Sequence, residues 1–375
     1  MQIVVNTRLL LKDRLEGIGW FSYQTLKRLT RNHPDVHFVF LFDRDYSEDF
    51  VFSDNVTPMV LGPQARHPIL YYLWFQVSVK NLLKRMKPDL FLSPDGFLSL
   101  GAGCKQLPVI HDINFFHHPK DLKWMTSKYY NYYFPRFAKE AARIATVSEF
   151  SRQEIAKHYH IPETKIDVVY NGINSFFKPI DEATRKATRA KYSSGKNYFV
   201  NVGSLHPRKN ISNLIKAFAL FKKESQSDMK LVLAGPEFWG MGDIQKTLEE
   251  SGIKEEVVFT GRLANEDLCK VLGSAMALTF IPYYEGFGIP LVEAMEAEIP
   301  IITSNMSSLP EVAGNAALKV NPFDLNDIKN AMLRIYNNAS VRADLVQKGR
   351  LQKQNFSWDR SAQLLWESML KAMRD

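Results

Sequence analysis

The stretch that decides the fold is Glu285-Gly286-Phe287-Gly288-Ile289-Pro290-Leu291-Val292-Glu293, which comes soon after an apolar run at 277–282. Its two glycines let the backbone approach a ligand closely, and Pro290 suits the first turn of a helix. Free amides at such a helix start favour a phosphate. Glu293, about one turn later, can accept hydrogen bonds from a ribose diol. Two glutamates alone could simply be the acidic residues that are common at a helix N-terminus. Their spacing around these glycines instead predicts a strand, a ligand-binding loop and a helix.

The same alternation of short β-branched runs and longer amphipathic stretches extends along most of the chain. It predicts βαβ units with parallel sheets, and therefore an α/β fold. The predicted strands form two series, the first at residues 2–6, 37–42, 89–93, 108–111, 144–147 and 167–170, the second at residues 198–203, 230–235, 257–261, 277–282, 300–304 and 317–320. Residues just beyond the carboxyl ends of these strands are the ones to inspect for ligand binding.

A chain of 375 residues is long for one core and suits two domains. The polar stretch 174–196 separates the two series of strands and is predicted to be a linker. We therefore expect two Rossmann-like domains, at residues 1–175 and 176–356, with a ligand-binding cleft between them. A last helix within 357–375, capped by Ser357, is expected to pack back on the first domain.

Composition limits the class of protein. The chain is 45% hydrophobic and 12% aromatic, so both halves can build a core. Cys104 and Cys269 lie far apart and fit neither a disulfide framework nor a zinc motif. The N-terminus lacks a signal-peptide pattern, and no apolar run reaches the roughly 18 residues of a spanning helix. These features predict a cytoplasmic protein, whose net charge of +8 would attract nucleic acid, anionic lipid or a phosphorylated substrate.

A second motif, Gly203-Ser204-Leu205-His206-Pro207-Arg208-Lys209-Asn210, stands at the end of the first strand of the second series. The glycine ends the strand, and Arg208 and Lys209 open the next helix. Two cations beside free helix amides would neutralise a diphosphate and help it to leave as an anion. The alternative interpretation is a solvated basic turn that binds no ligand.

The first half carries less specific candidates. Glu16-Gly17-Ile18-Gly19 follows the first strand, but it lacks the full dinucleotide fingerprint, which disfavours a nicotinamide site. His111 ends a strand and could bond a sugar hydroxyl or a phosphate, or serve as a structural residue. Asp43-Arg44-Asp45 is a rival motif, because a DxD after a strand can chelate a metal with a nucleotide sugar. We interpret it as a surface loop.

Together these motifs resemble those of the family-4 retaining glycosyltransferases, also called glycosyl transferases group 1, whose GT-B fold has two Rossmann-like domains facing across a cleft. The resemblance spans nearly the whole chain. Its most specific element is the EX7E motif, matched by Glu285 and Glu293 and supported by residues 203–210. Weaker matches to the family occur at residues 17–19, 111–112, 146–151, 168–172 and 308–312.

The resemblance implies a role for each matched position. Glu293 would bind the donor ribose, while Glu285, with the amides of Phe287 and Gly288, would hold the transferred sugar. The expected catalytic residues are Glu285, His111, Arg208 and Lys209. The expected donor-binding residues are Gly17, Gly19, Gly203, Arg208, Lys209, Arg262, Glu285, Gly286, Phe287, Gly288, Ile289, Leu291 and Glu293, with no metal ligand among them.

The activity implied is transfer of a hexose from a nucleotide sugar with retention at the anomeric carbon, without a cofactor or a divalent metal. The chain has Gly203-Ser204 where many members have Gly-Arg, and in this it is similar to mannosyltransferase-like members. GDP-mannose is therefore the first expected donor. A UDP-sugar donor and a sugar-nucleotide epimerase on the same fold remain open as alternatives.

The expected acceptor is a hydroxyl of a glycan or lipid-linked saccharide, bound by the first domain. The aromatic stretch 71–75, followed by cations at 80–87, and the aromatic and basic stretch 120–143 could rest on the inner face of an anionic membrane. We favour the alternative, in which these are amphipathic helices with a buried aromatic face. A nucleic-acid partner is not expected, because the cations are scattered and no binding module is visible.

Overall fold

The computed structural model describes residues 1–12, 14–237 and 242–374. The chain forms two compact units, of which unit 1 contains Met1–Gly172 and Ser357–Asp375 and unit 2 contains Ile173–Phe356. The boundary predicted from the sequence lies three residues later, between 175 and 176. Both units are α/β with parallel sheets, as the alternating pattern predicts. Among the described residues, no helix has the length and apolarity needed to cross a membrane.

Unit 1 is built on a five-stranded parallel sheet in the order β3-β2-β1-β4-β5, and β6 and β7 form a further parallel pair. Its strands are β1 (Gln2–Asn6), β2 (His37–Phe42), β3 (Val56–Val60), β4 (Leu90–Ser93), β5 (Gln106–Pro108), β6 (Ile144–Thr146) and β7 (Ile166–Val168). Its helices are α1 (Gly17–Asn32), α2 (Pro68–Tyr72), a π-helix (Leu73–Val79), α3 (Lys80–Met86), α4 (Asn114–His117), α5 (Trp124–Glu140), α6 (Glu149–Tyr159) and, from the C-terminus, α15 (Trp358–Arg374).

Strand β3 is the element of this sheet that the sequence pattern does not predict. It lies at the edge of the sheet and contains Pro58, which lacks a backbone donor. Proline interrupts the usual strand signal, but it is tolerated at an edge, where one side of the backbone needs no partner. The other strands of unit 1 start and end within three residues of their predicted bounds.

The C-terminal helix α15 belongs to unit 1 because it packs along α1. The ring of Trp358 meets Phe21 edge-on at 6.4 Å, and Trp366 stacks on His33 at 3.7 Å. Ser357 caps the helix, accepting a hydrogen bond from the Arg360 amide at 3.2 Å. Aromatic contacts therefore hold a segment that is distant in sequence against the first helix of the chain.

Unit 2 has a six-stranded parallel sheet in the order β10-β9-β8-β11-β12-β13. The strands are β8 (Tyr198–Val202), β9 (Lys230–Ala234), β10 (Val257–Gly261), β11 (Ala277–Phe280), β12 (Ile301–Ser304) and β13 (Leu318–Val320). The helices are α7 (Glu182–Ser193), α8 (Ile211–Ser225), α9 (Gly242–Ser251), α10 (Asn265–Ser274), α11 (Ile289–Glu296), α12 (Leu309–Ala313), α13 (Leu325–Asn337) and α14 (Ala339–Gln352).

The predicted linker at 174–196 is in large part helix α7, which corrects the sequence-based interpretation. Asp181 caps this helix by accepting a hydrogen bond from the Thr184 amide at 2.7 Å. Arg189 then donates two hydrogen bonds, of 3.0 and 2.9 Å, to the carbonyl of Ser274 at the end of α10. The stretch resembles a linker because its helix is polar on most faces, so its stability depends on packing against the rest of unit 2, such as α10.

Candidate functional site

The candidate site of unit 2 lies at the carboxyl ends of β8 and β11. These strands are neighbours, with Phe199 opposite Ala277, although β9 and β10 follow β8 along the chain and lie on its other side. The direction of strand addition thus reverses between them, and open parallel sheets bind ligands at such a point. Because both strands end here, the loops at 203–210 and 281–288 begin at the same edge of the sheet.

Glu285 is held by the two cations of the neighbouring loop. Its Oε1 accepts a hydrogen bond from Lys209 Nζ at 2.5 Å and another from Arg208 Nη1. Glu285 and Lys209 are each 7% exposed. Burial opposes ionisation of the carboxyl, but the charges and hydrogen bonds of Arg208 and Lys209 outweigh it and lower the pKa of Glu285. The half-buried Arg208 and the buried Lys209 thus both pair with one carboxylate, and two cations placed side by side favour an anionic ligand.

Backbone contacts hold these side chains in place. Ser308 Oγ donates to the Glu285 carbonyl at 2.9 Å, and Ser307 Oγ accepts from the Glu285 amide at 3.2 Å. On the other loop, His206 Nδ1 accepts from the Arg208 amide at 3.3 Å. Sequence reasoning assigned none of these three residues a role. His206 lies inside the motif at 203–210, and the match at 308–312 was the signal for the segment of Ser307 and Ser308.

The loop after β11 ends in a helix start that can receive an anion. Gly288 caps α11 with φ at 95°, in the left-handed region that favours glycine, and Pro290 occupies the first turn. A Cβ at position 288 would lie 2.6 Å from Leu309 Cδ2, so a larger residue would have to displace its neighbour. Phe287 and Leu291 are buried, while Ile289 is half-buried. These contacts fix the direction of the first amides of the helix.

Glu293 lies one turn into α11 and is 9% exposed. In the part of the chain that the structure describes, no donor forms a hydrogen bond or ion pair with its carboxyl group. Burial raises the pKa of Glu293 to about 8. A buried acid without a protein partner is costly, and a ligand hydroxyl that donates to it would relieve that cost.

The other donor-side positions predicted in unit 2 differ in how close they lie to this cluster. Gly203 follows β8, and the Lys209 side chain passes 3.5 Å from where its Cβ would be. Gly286 is buried beside Glu285. Arg262, by contrast, is exposed after β10, which is separated from β8 by β9. Arg262 therefore follows a different strand from the charged cluster, and its donor-binding role stays a prediction.

In unit 1 the predicted residues lie after β1 and β5. Gly17 begins α1 and Gly19 is buried in its first turn. His111 Nε2 bonds the carbonyl of Pro94 at 2.8 Å, and its ring meets Phe21 edge-on at 5.1 Å. Burial lowers the pKa of His111, although the Pro94 carbonyl and nearby acids act against this. Since a carbonyl only accepts, Nε2 carries the proton and Nδ1 is left as an acceptor.

Unit 1 also contains a buried ion pair that sequence reasoning missed. Arg8 Nε donates to Asp95 at 2.5 Å, and Asn6 Nδ2 donates to the same carboxylate at 2.7 Å. These residues end or follow β1 and β4, the strands between which the order of this sheet reverses. The Arg8 guanidinium lies 4.7 Å from the centroid of Phe97. The available sequence signal was that Arg8 and Asp95 each follow a strand. Nothing in the sequence indicates that these two residues, 87 positions apart, form a pair.

The rival motif Asp43-Arg44-Asp45 is not a simple surface loop. Asp43 is buried, and its two oxygens accept from Arg44 at 2.6 and 2.9 Å and from the Ala65 amide at 2.8 Å. Asp45 is exposed. The carboxylate nearest the strand therefore already holds the loop together through its own hydrogen bonds, which supports a structural role.

The aromatic stretch at 71–75 divides between core and surface. Trp74 and Phe75 are fully buried in the core of unit 1, and Tyr129 and Phe134 of α5 belong to the same core. Tyr72 is instead 45% exposed. The amphipathic interpretation therefore accounts for most of these aromatic side chains.

The comparisons with known proteins agree with this architecture. Residues 184–352 match the family Glycosyl transferases group 1, and residues 15–175 match Glycosyltransferase Family 4. The chain is 31% identical to O-antigen chain mannosyltransferase B of Escherichia coli over 93% of this chain and 94% of that protein. It is 27% identical to O-antigen chain mannosyltransferase RfbU of Salmonella typhimurium over 89% and 90% of the two chains.

Solved structures show the same fold at lower identity. HepE of Anabaena, in complex with UDP and glucose, superposes with a TM-score of 0.75 at 16% identity over 99% of each chain. Sucrose-phosphate synthase of Thermosynechococcus elongatus gives a TM-score of 0.78 at 18% identity, covering 98% of this chain and 97% of that one. The family matches, the full-length relatives and the EX7E acids at the switch point of unit 2 lead to one conclusion: this chain belongs to the family-4 glycosyltransferases, has the GT-B fold and is an enzyme that transfers a sugar.

Proposed function

We propose that the protein transfers mannose from GDP-mannose to a hydroxyl of a glycan or lipid-linked saccharide, with retention at the anomeric carbon and without a divalent metal. The observation that carries the proposal is the buried cluster in which Arg208 and Lys209 share Glu285. The similarity to two O-antigen chain mannosyltransferases supports mannose and polysaccharide synthesis.

The two cations would bind the diphosphate. Lys209 is nearly buried and Arg208 half-buried, so a phosphate that reaches them exchanges water for charged donors in a site of low polarity. The first amides of α11 would add their dipole to the same anion. Since negative charge develops on the diphosphate as the glycosidic bond breaks, these groups stabilise the transition state more than the ground state.

This arrangement would remove the need for a metal at the diphosphate. Arg208 and Lys209 would supply cationic donors where a divalent ion would otherwise neutralise the phosphates, with part of their charge offset by Glu285. The acid of the rival motif, Asp43, is occupied by Arg44 and the Ala65 amide. The nucleotide sugar is thus a substrate, and no other cofactor takes part in the proposed reaction.

Each EX7E acid would have a separate task. Glu293, buried and without a protein partner in the described residues, would accept hydrogen bonds from the ribose hydroxyls. Glu285, kept ionised by its cations, would accept from hydroxyls of the transferred sugar. On unit 1, Nδ1 of His111 would accept from a sugar or acceptor hydroxyl. The acceptor hydroxyl would attack the anomeric carbon on the face from which the diphosphate departs. Because the two groups are then close together, the departing diphosphate would receive the acceptor proton.

The acceptor would be bound by unit 1, with peripheral contact to the inner face of the membrane where that acceptor is lipid-linked. Exposed apolar side chains on adjacent helices support this, with Tyr72 at 45% and Tyr132 at 53% exposure. Lys84 and Arg85 are exposed on α3 and would meet anionic headgroups. The protein is expected to act in the cytoplasm, where nucleotide sugars are its substrates.

The test is nucleotide binding and product analysis in EDTA. GDP-mannose, UDP-glucose and ADP-glucose are compared by thermal shift, since a ligand at a hundredfold its Kd adds about 2.7 kcal/mol to stability. Glu293→Ala should abolish the shift. Glu296→Ala is the matched control, because Glu296 lies on the same helix but pairs with Lys353 at 2.9 Å.

The stereochemistry can be read without knowing the acceptor. Slow hydrolysis of GDP-mannose by a retaining enzyme releases the α-anomer first, which NMR detects before mutarotation. First release of the β-anomer, or a reaction that requires Mn²⁺, would contradict the proposal. Stabilisation by UDP-glucose alone would indicate that the donor is a UDP-sugar. Formation of a different sugar nucleotide in the absence of an acceptor would favour an epimerase.

A further inference from the structure

His117, Glu154 and His158 form a side-chain cluster on unit 1 to which none of the roles above applies. His117 Nε2 lies 2.5 Å from Glu154 Oε2, and His158 Nε2 lies 3.7 Å from the same oxygen. One potential ligand atom from each residue lies within 4.8 Å of the other two. Within the described ranges, with gaps at 13, 238–241 and 375, this is the one set of three His, Cys, Asp or Glu side chains that meets this criterion.

The cluster is assembled from two segments of the fold. Glu154 and His158 are one turn apart on α6, so both project from the same face of that helix. His117 is the last residue of α4, 37 positions earlier. The histidine rings approach within 4.8 Å at an angle of 85°, and Phe116 lies beside the His158 ring at 4.7 Å. The sequence alone did not indicate this set, because only the fold brings α4 next to α6.

The geometry and the donor types fit a particular class of cation. Zinc bound tetrahedrally at 2.0–2.1 Å places its ligand atoms about 3.3 Å apart, and the observed 2.5 and 3.7 Å lie on either side of that spacing. Two imidazoles and one carboxylate form a set that zinc, cobalt and nickel accept, whereas magnesium and calcium require mostly oxygen. The three side chains are 26%, 18% and 22% exposed, which leaves an entry path and space for water.

We propose that His117, Glu154 and His158 bind one zinc ion, or a similar borderline divalent cation, with solvent in the remaining coordination position. This site lies on unit 1 and does not depend on the transferase assignment. An ion there replaces the direct contact between His117 Nε2 and Glu154 Oε2 by bonds from both residues to the metal, so it cross-links α4 to α6.

The cross-link would act close to His111. α4 begins three residues after His111, and on α6 Ser151 Oγ donates to the His111 carbonyl at 3.1 Å. An ion that ties α4 to α6 therefore joins the two elements that flank this histidine. The ion would stabilise unit 1 and hold the His111 segment in one arrangement.

Metal binding is tested on the full chain after removal of any affinity tag and of bound metal by EDTA and dialysis. Co²⁺ is titrated as a spectroscopic probe and Zn²⁺ by calorimetry, with Tm as a further readout. The expected result is one Zn²⁺ per chain, a rise in Tm and visible Co²⁺ bands of four- or five-coordination. Zn²⁺ should then displace Co²⁺ and remove those bands.

The variants identify the ligands. His158→Ala and Glu154→Gln should each weaken Zn²⁺ binding by about a hundredfold or more, since a lost ligand costs at least as much as a lost outer partner. His160→Asn is the matched control: the residue is exposed at the end of the same helix, and its left-handed conformation tolerates Asn. Circular dichroism checks that each variant folds. If one of the two ligand variants does not fold, His117→Gln is measured in its place. Wild-type protein without stoichiometric Zn²⁺ uptake, or His158→Ala that binds like the wild type, would overturn the proposal.

Discussion

Donor binding is expected to depend on pH through Glu293. The raised pKa of about 8 means that the buried acid is mostly protonated at neutral pH before ligand binds. Ribose hydroxyls that donate to the carboxylate favour its ionised form and so bring the pKa back toward 4.5. Binding then releases a proton, and affinity for the nucleotide sugar rises with pH up to about 8.

The size of the effect follows from the ionised fraction. With a pKa of about 8, roughly 1% of Glu293 is ionised at pH 6 and about half at pH 8. The Kd of GDP-mannose should therefore fall about fiftyfold over that interval, equivalent to about 2.3 kcal/mol. The free energy of unfolding of the ligand-free protein should move in the opposite direction. The folded state binds the proton more tightly than the unfolded chain, so stability falls as pH rises from about 4.5 through 8.

Calorimetry at pH 6, 7 and 8 measures this dependence. GDP-mannose is the appropriate ligand because its diphosphate is a diester and does not titrate in this range. Buffers with different ionisation enthalpies should show release of nearly one proton at pH 7. Glu293→Gln should bind more weakly and with an affinity that does not change with pH. A flat wild-type profile would refute the reasoning, and a slope that persists in Glu293→Gln would belong to another group.

Three further outcomes are expected. Lys209→Ala should lower kcat/KM by about 10²- to 10³-fold, chiefly through kcat, because a donor to the developing diphosphate charge is lost; steady-state kinetics with GDP-mannose measure this, and an unchanged kcat would argue against that role. Gly288→Ala should lower the free energy of unfolding by more than about 2 kcal/mol in urea, because it combines a positive φ with the 2.6 Å approach to Leu309. Gly252→Ala is the control: with φ of 65° and no neighbour within 4 Å, it should cost about 1 kcal/mol. Equal losses in the two variants would exclude the steric argument. EDTA should leave the rate of mannosyl transfer within about twofold, since Arg208 and Lys209 supply the positive charge, and a rate restored only by Mn²⁺ would show that a metal is needed.

Much of the fold could be predicted because its signals are local. Strands of a parallel sheet are buried on both faces, so β8, β9 and β11 read as short apolar runs that end in glycine or proline. The exceptions have local causes as well. Pro58 hides β3, and the polar faces of α7 resemble a linker. The C-terminal helix was predicted from its apolar period and its Ser357 cap.

The candidate site was predictable as two motifs but not as one arrangement. The spacing of Glu285 and Glu293 around two glycines specified a loop and a helix start, and the cations at 208–209 suggested an anion. The direct bonds of Arg208 and Lys209 to Glu285 could not be read from the sequence. They exist because β8 and β11 lie side by side, although their ends are 78 positions apart in the chain.

By itself, the sequence determined the class of fold, the family and the acids and cations of the candidate donor site, because these properties depend on periodicity and on residues close together in the chain. Only the tertiary structure decided the electrostatic state of those residues. It pairs Glu285 with two cations and lowers its pKa, and it buries Glu293 without a described partner and raises the pKa to about 8. It also places His117 beside Glu154 and His158. Burial and through-space charge act between residues that are distant in sequence, so only the folded chain defines them.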